Sequence, residues 1–291
     1  MKGEYKVSNA LVLQSDFGLS DGAVSAMYGV AQTVDPSVPL FDLTHDIPPY
    51  NIWEASYRLL QTIPYWPENT VFVSVVDPGV GSDRKSVVVK TASNHFIVTP
   101  DNGTLTHIHH SIGIVEARII DEQKNRLPRS GASHTFHGRD IYAYTGARLA
   151  SNTISFEEVG PAYSVDSIVL LPLFEARFLN GALTGMIDVL DVRFGNVWTN
   201  ISRELFLQLG MEYGDSVEVL IQHDSKRIYK NFMTYGRSFA DLCIGEPLVY
   251  INSLDNLAIA INQGSFAKNY SIGTGSNWRI SLRKAPKIIY E

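Results

Sequence analysis

The sequence predicts an α/β domain built on a mainly parallel sheet, followed by a smaller all-β, barrel-like domain. Three observations predict it. Up to about residue 165, short β-branched runs alternate with longer amphipathic stretches. After about Leu171 a segment punctuated by Pro and Gly, LPLFEARFLNGALTG, leads into runs that are nearly all strand-like. The 291 residues, 45% apolar and 19% charged, supply enough apolar side chains for buried cores and exclude a disordered chain.

In the first part the expected strands are Ala10 to Gln14, Val38 to Leu43, Thr70 to Val76, Ser86 to Lys90 and His95 to Thr99. Between the first two, Val24, Met27, Tyr28, Ala31 and Val34 fall at helical spacing behind an expected N-cap at Ser20, and Pro36 closes the segment. Further helices are expected from about Asn51 to Gln61 and from about Gly138 to Ala150. In the second part DSVEVLIQ, RIYKNFMTY, PLVYINS, LAIAIN and NWRISLR read as strands, and SRELFLQLG as the one helix, stopped at Gly210. The expected domains are 1–170 and 181–291, joined by a connection over 171–180.

Composition also narrows the partners. The 24 basic residues are outnumbered by 30 acidic ones without a basic run, which argues against nucleic acid. A single cysteine, Cys243, excludes an intramolecular disulfide and a cysteine-rich zinc site and suits an intracellular setting. The start lacks the apolar core of a secretory signal, and no run of ~18 apolar residues suggests a membrane span. The expectation is a cytoplasmic protein acting on a small molecule.

Acids follow the expected strands: Asp16, Asp42 and Asp46, Asp77, and Asp101. Open α/β sheets bind ligands beyond the carboxyl ends of their strands, so these acids should gather along one edge. Any single one could merely start a turn, and Asp42, between two apolar residues, is read that way. His137 opens the third helix beside Phe136 and Gly138. His107, His109 and His110 are read as a solvated surface, because HIHH has no evident carboxylate partner. In DVRFGNVWTN, Asp191, Phe194, Asn196 and Trp198 would suit a planar heterocycle, with stacking to set the plane and an amide to read the edge, or could be an ordinary strand-turn-strand.

Taken together, SDFG at Asp16, DPGVGSDR from Asp77 to Arg84, TPDNG, TFHGRD at His137 and FGNVWTNI resemble the S-adenosyl-L-methionine (SAM) hydroxide adenosyltransferases. That family is related to the fluorinase and chlorinase, which attack SAM with halide. The resemblance runs over essentially the whole chain. It implies hydrolysis of SAM to adenosine and L-methionine, without metal or further cofactor, by a homotrimer that binds SAM between the N-terminal domain of one subunit and the C-terminal domain of the next. The catalytic positions map onto Asp77, Arg84 and His137; the halogenases carry other residues at the first and third, with Tyr in place of His137. The substrate-binding positions map onto Asp16 at the ribose hydroxyls, Asp21 and Asp191 near the methionine ammonium, Ser253 near its carboxylate, Tyr50 and Phe136 along the nucleoside pocket, and Phe194, Asn196, Trp198 and Phe239 around adenine. Ala23, Leu254 and Ile261 replace the Ser, Arg and Arg of the halogenases. A SAM-dependent halogenase and a SAM- or adenosine-binding sensor are the alternative readings, with a metal-dependent hydrolase built on the Asp edge and His45 as the remaining one.

Overall fold

β1 (Leu11–Ser15) and β3 (Val71–Val75) are buried at every position, which is why they read as mostly apolar runs, with Gln14, Ser15 and Ser74 the buried polar exceptions. A computed structural model describes residues 8–285 and divides them into two units after Leu171. The first unit continues with α1 (Ala23–Val34), β2 (Leu40–Thr44), α2 (Ile52–Thr62), β4 (Ser86–Thr91), β5 (Phe96–Pro100) and α3 (Thr106–Ser111). After β6 (Ile114–Ile119), a π-helical turn over Gly138–Ala143 runs straight into α4 (Tyr144–Ala150), and β7 (Ala162–Tyr163) completes the sheet. The strand order is β2-β1-β3-β5-β4-β6-β7. β2, β1, β3 and β5 are parallel, and β4, β6 and β7 extend the sheet antiparallel.

Period-two alternation gives each strand two buried faces. Leu11, Leu13, Val71 and Val73 pack against Met27 and Ala31 of α1 and Ala147 of α4. Val12 and Phe72 face the other way, onto Leu59 of α2 and Ile108 of α3. α2 begins at Asn51, whose side chain accepts the N–H of Glu54. α1 begins later than Ser20 suggests. Gly22 precedes it, and Asp21 Oδ1 accepts the N–H of Ala23 at 2.9 Å, so Asp21 rather than Ser20 satisfies the end donor. The histidine segment is solvated only in part: His110 is exposed, but His107 is not. It forms α3, and His107 is buried, with Nδ1 and the Ser56 hydroxyl 2.8 Å apart and the Trp53 ring 4.7 Å away.

In the second unit, β8 (Arg177–Leu179) lies within the segment expected as a connection. β9 (Ala182–Leu190), β10 (Val197–Ser202), β11 (Ser216–His223), β12 (Lys226–Tyr235), β13 (Pro247–Ile251), β14 (Asn256–Ile261) and β15 (Trp278–Lys284) close into a barrel. The closure is made by β9, which pairs with β15 through its first half and with β10 through its second. Val217, Val219 and Ile221 of β11 and Leu257, Ile259 and Ile261 of β14 fill the interior. α5 (Arg203–Leu207) is the helix expected in SRELFLQLG; Ser202 caps it, and Gly210 follows with φ +63°. α6 (Phe266–Tyr270) buries Phe266 against the same interior. No described helix is long and apolar enough to cross a membrane.

Candidate active site

The chain leaves β1 through α1 to reach β2 on one side, then returns through α2 to β3 on the other. The carboxyl ends of β1 and β3 therefore flank a topological switch point, where no helix covers the strand ends. A cleft of about 370 Å³ opens there, lined by Asp16 and Phe17 after β1, Asp77 after β3, Tyr50 before α2, and Phe136 and His137 at the π-helical turn. Gly138 lets that turn approach closely, since a Cβ there would sit 3.1 Å from the Phe17 ring and 3.2 Å from Val75. A π-turn inside a helix is a recurrent mark of a functional site.

Arg84 is not among the lining residues; it joins two of them, Asp77 and His137. Its Nε donates to Asp77 Oδ1 at 2.6 Å and its Nη2 to Asp77 Oδ2, while Nη2 also reaches His137 Nδ1 at 3.3 Å. Nη1 donates to Ser86 Oγ at 3.3 Å, and that hydroxyl lies 3.1 Å from the buried Tyr142 hydroxyl. The Arg84 and Asp77 side chains are only 11% and 6% exposed, so the bidentate pair is shielded from solvent. Guanidinium always donates, so Nδ1 of His137 accepts and the neutral ring carries its proton on Nε2. Nε2 is buried and has no partner among the described residues. Burial, then the Arg84 charge, pushes the His137 pKa below its ordinary value.

Asp16 Oδ2 accepts the N–H of Tyr50 at 2.8 Å; Tyr50 itself is 73% exposed, with φ +68°. Asp21 stands apart in its turn at the start of α1. Asp101 serves structure, accepting from the Tyr163 hydroxyl at 2.9 Å and the Val169 N–H at 2.9 Å. Sequence reasoning passed over Phe17, although it lies inside the SDFG motif, and over Ser86 and Tyr142, which carried no local signal.

The second unit has its own hollow of about 620 Å³, lined by Phe194, Asn196 and Phe239 together with Arg193, Gln263 and Ser265. Asp191 shapes the loop that carries Phe194. Its Oδ1 accepts the N–H groups of Arg193 and Phe194 at 3.1 and 3.3 Å, and its Oδ2 accepts from Asn196 Nδ2 at 3.3 Å. Trp198 is not among the lining residues; it packs beside Leu248 and Tyr250, donating to the Tyr250 hydroxyl at 3.3 Å. Ser253 is exposed in the turn between β13 and β14. Among the described residues no three His, Cys, Asp or Glu side chains are grouped to hold a metal ion.

Two family models match the chain: the SAM hydroxide adenosyltransferase N-terminal domain over residues 11–160 and the corresponding C-terminal domain over 185–279. The chain belongs to the SAM hydroxide adenosyltransferase family. Within it, the (R)-S-adenosyl-L-methionine hydrolase of Methanocaldococcus jannaschii is 32% identical over 269 residues, covering 88% of this chain and 93% of the relative. The fluorinase of Actinopolyspora mzabensis is more distant, 25% identical over 295 residues with 93% and 96% covered. The crystal structure of an uncharacterized conserved protein from Thermotoga maritima superposes with a TM-score of 0.84 at 32% identity, covering 94% of this chain and all of that one. In SAM hydroxide adenosyltransferase terms, both the cleft and the barrel hollow fall inside the matched segments.

Proposed function

We propose that this chain hydrolyses SAM to adenosine and L-methionine by attack of water on the ribose C5′. The observation that carries this reading is that Arg84 joins Asp77 and His137, both of which line the cleft together with Asp16. The carbon–sulfur bond breaks with its electron pair leaving on sulfur, so methionine departs as a neutral thioether and no general acid is needed. Nor does the step call for a cofactor or metal, because the sulfonium is its own activated leaving group. Catalysis then reduces to holding a water in line with C5′ and removing its proton.

In this reading His137 donates from Nε2–H to the water oxygen and holds it, while Asp77, which lines the cleft, takes the proton through a lone pair left beside Arg84. Arg84 acts through its partners, orienting the carboxylate and fixing the imidazole tautomer. Asp16 accepts hydrogen bonds from the ribose hydroxyls. Asp21, Tyr50, Phe136, Asp191, Phe194, Asn196, Phe239 and Ser253 keep the binding roles that the resemblance implies, in a homotrimer working in the cytoplasm, while Trp198 acts through its packing on Leu248 and Tyr250.

Chromatography of products from purified protein and SAM tests the activity. Adenosine and methionine in equal amounts, undiminished by a chelator, support hydrolysis. 5′-Chloro-5′-deoxyadenosine at high chloride, or tight SAM binding with no adenosine over hours, would overturn it in favour of a halogenase or a sensor. Native mass spectrometry tests the trimer.

A further inference from the structure

Behind the cleft, four side chains none of which lines it form one continuous hydrogen-bonded chain. Ser15, at the end of β1, is fully buried, and its Oγ accepts the N–H of Phe17 at 3.2 Å. His45 Nε2 lies 3.0 Å from Asp42 Oδ1, and a carboxylate only accepts, so the neutral ring carries its proton on Nε2 and donates it there. Nδ1 is then the acceptor, and the Ser15 hydroxyl donates to it across 2.7 Å. The Tyr28 hydroxyl of α1 donates to the same carboxylate oxygen, and burial with that contact pushes the phenol pKa upward. His45 also acts from its backbone, where its carbonyl accepts the N–H of Gly18 at 2.8 Å. The turn Ser15–Gly18 is thus gripped at both ends by one residue, and the two side chains it presents to the cleft are Asp16 and Phe17. Ser, His and Asp in this order resemble a hydrolytic relay, but a fully buried Ser15 has no access to a substrate, so its hydroxyl is a strut and not a nucleophile.

We propose that His45 is a positioning residue: through Ser15 and the Gly18 N–H it sets where the Asp16 carboxylate stands, and so sets how strongly the site distinguishes a ribose from a 2′-deoxyribose. The inference rests on the reading of Asp16 as the ribose acid. Asp16 has one other anchor, the Tyr50 N–H on Oδ2, and Oδ1 has no partner among the described residues. The turn and that one bond therefore fix the position of the free oxygen. The Asp42 side chain is 43% exposed while that of His45 is 1% exposed, so the chain of bonds reaches from the surface to the underside of the site without touching it.

The test compares kcat and KM for SAM and for its 2′-deoxy analogue in wild type, Asp16→Asn, His45→Ala, His45→Asn and Asp42→Asn. Losing the strut should raise KM for SAM about tenfold in His45→Ala, with kcat within about threefold, and should shrink the preference for SAM over the analogue by a similar factor. His45→Asn, which keeps an acceptor where Nδ1 stands, should recover most of that preference, and Asp42→Asn should lie between it and wild type. Should His45→Ala fold poorly, the Asp42→Asn and His45→Asn comparison carries the same test from milder changes. Equal losses for SAM and the analogue in the His45 and Asp42 variants, while Asp16→Asn erases the preference, would overturn the role of His45 alone. A preference that also survives Asp16→Asn would overturn the reading of Asp16 and this proposal with it.

Discussion

Arg84 donates to Nδ1 of His137 at 3.3 Å, and this bond dictates which ring nitrogen keeps the proton. The same guanidinium spans both oxygens of Asp77, so one side chain sets the geometry of an acid and of an imidazole 53 positions away from it.

A lysine at 84 could keep the charge but not the fork, because an ammonium is a point donor that cannot span two carboxylate oxygens and an imidazole together. Arg84→Lys should therefore lower kcat by roughly 10²-fold or more while KM for SAM stays within about tenfold. His137→Ala should do the same by removing the donor to the attacking water. Steady-state kinetics check both, and near-normal kcat in either variant would remove that residue from the mechanism.

The depressed pKa of His137 has a sign that stability measurements can read. Below about pH 6.5 an unfolded chain protonates this histidine while the folded one resists, so the unfolded state binds more protons and stability falls as pH falls. The contribution is whole above that pH and is lost between it and the lower folded value. Urea midpoints at about pH 7.5 and about pH 5.5 should separate more in wild type than in His137→Gln, which has no group titrating there. Equal separations would mean that His137 titrates normally in the folded protein.

At Asp16, replacement by Asn keeps the shape, loses the charge and turns one acceptor into a donor. Asp16→Asn should cost about 1.5–3 kcal/mol of SAM affinity, or roughly 10- to 150-fold, measured by titration calorimetry. An analogue without the 2′-hydroxyl should bind wild type correspondingly weakly and lose much less on mutation. Additive losses would return Asp16 to the role of a turn-forming acid.

Gly195, between Phe194 and Asn196, has φ +69°, and a Cβ there would meet Ser265 Oγ at 1.9 Å. Gly195→Ala should destabilise the barrel unit by about 1–3 kcal/mol through backbone strain and overpacking. Urea denaturation checks the loss, and because the same loop presents Phe194 to the barrel hollow, SAM affinity should fall with it. An unchanged midpoint would show that the loop can move aside at no cost.

Residue pattern alone dictated β1, β3, α2 and most barrel strands, because mostly apolar runs and helical spacing are local properties that a window of sequence displays. It missed β6, whose IVEARI mixes charge into an edge-side strand, and β7, whose two residues are too few to show a period. Several site residues were legible for a different reason: acids after strands, and a histidine beside a glycine, are placed by the ends of elements. Which of those acids meets the cleft was not. Asp16 and Asp77 enter it because β1 and β3 are neighbours across the switch point, while Asp101 turns to Tyr163, 62 positions away. The burial of His107 on Ser56, 51 positions away, and the grip of His45 on Ser15, 30 positions away, likewise come from chain segments that only folding brings together. A hydrogen bond depends on the position and direction of its donor and acceptor, and those are set by the packing of the sheet and its helices, not by the spacing of residues along the chain.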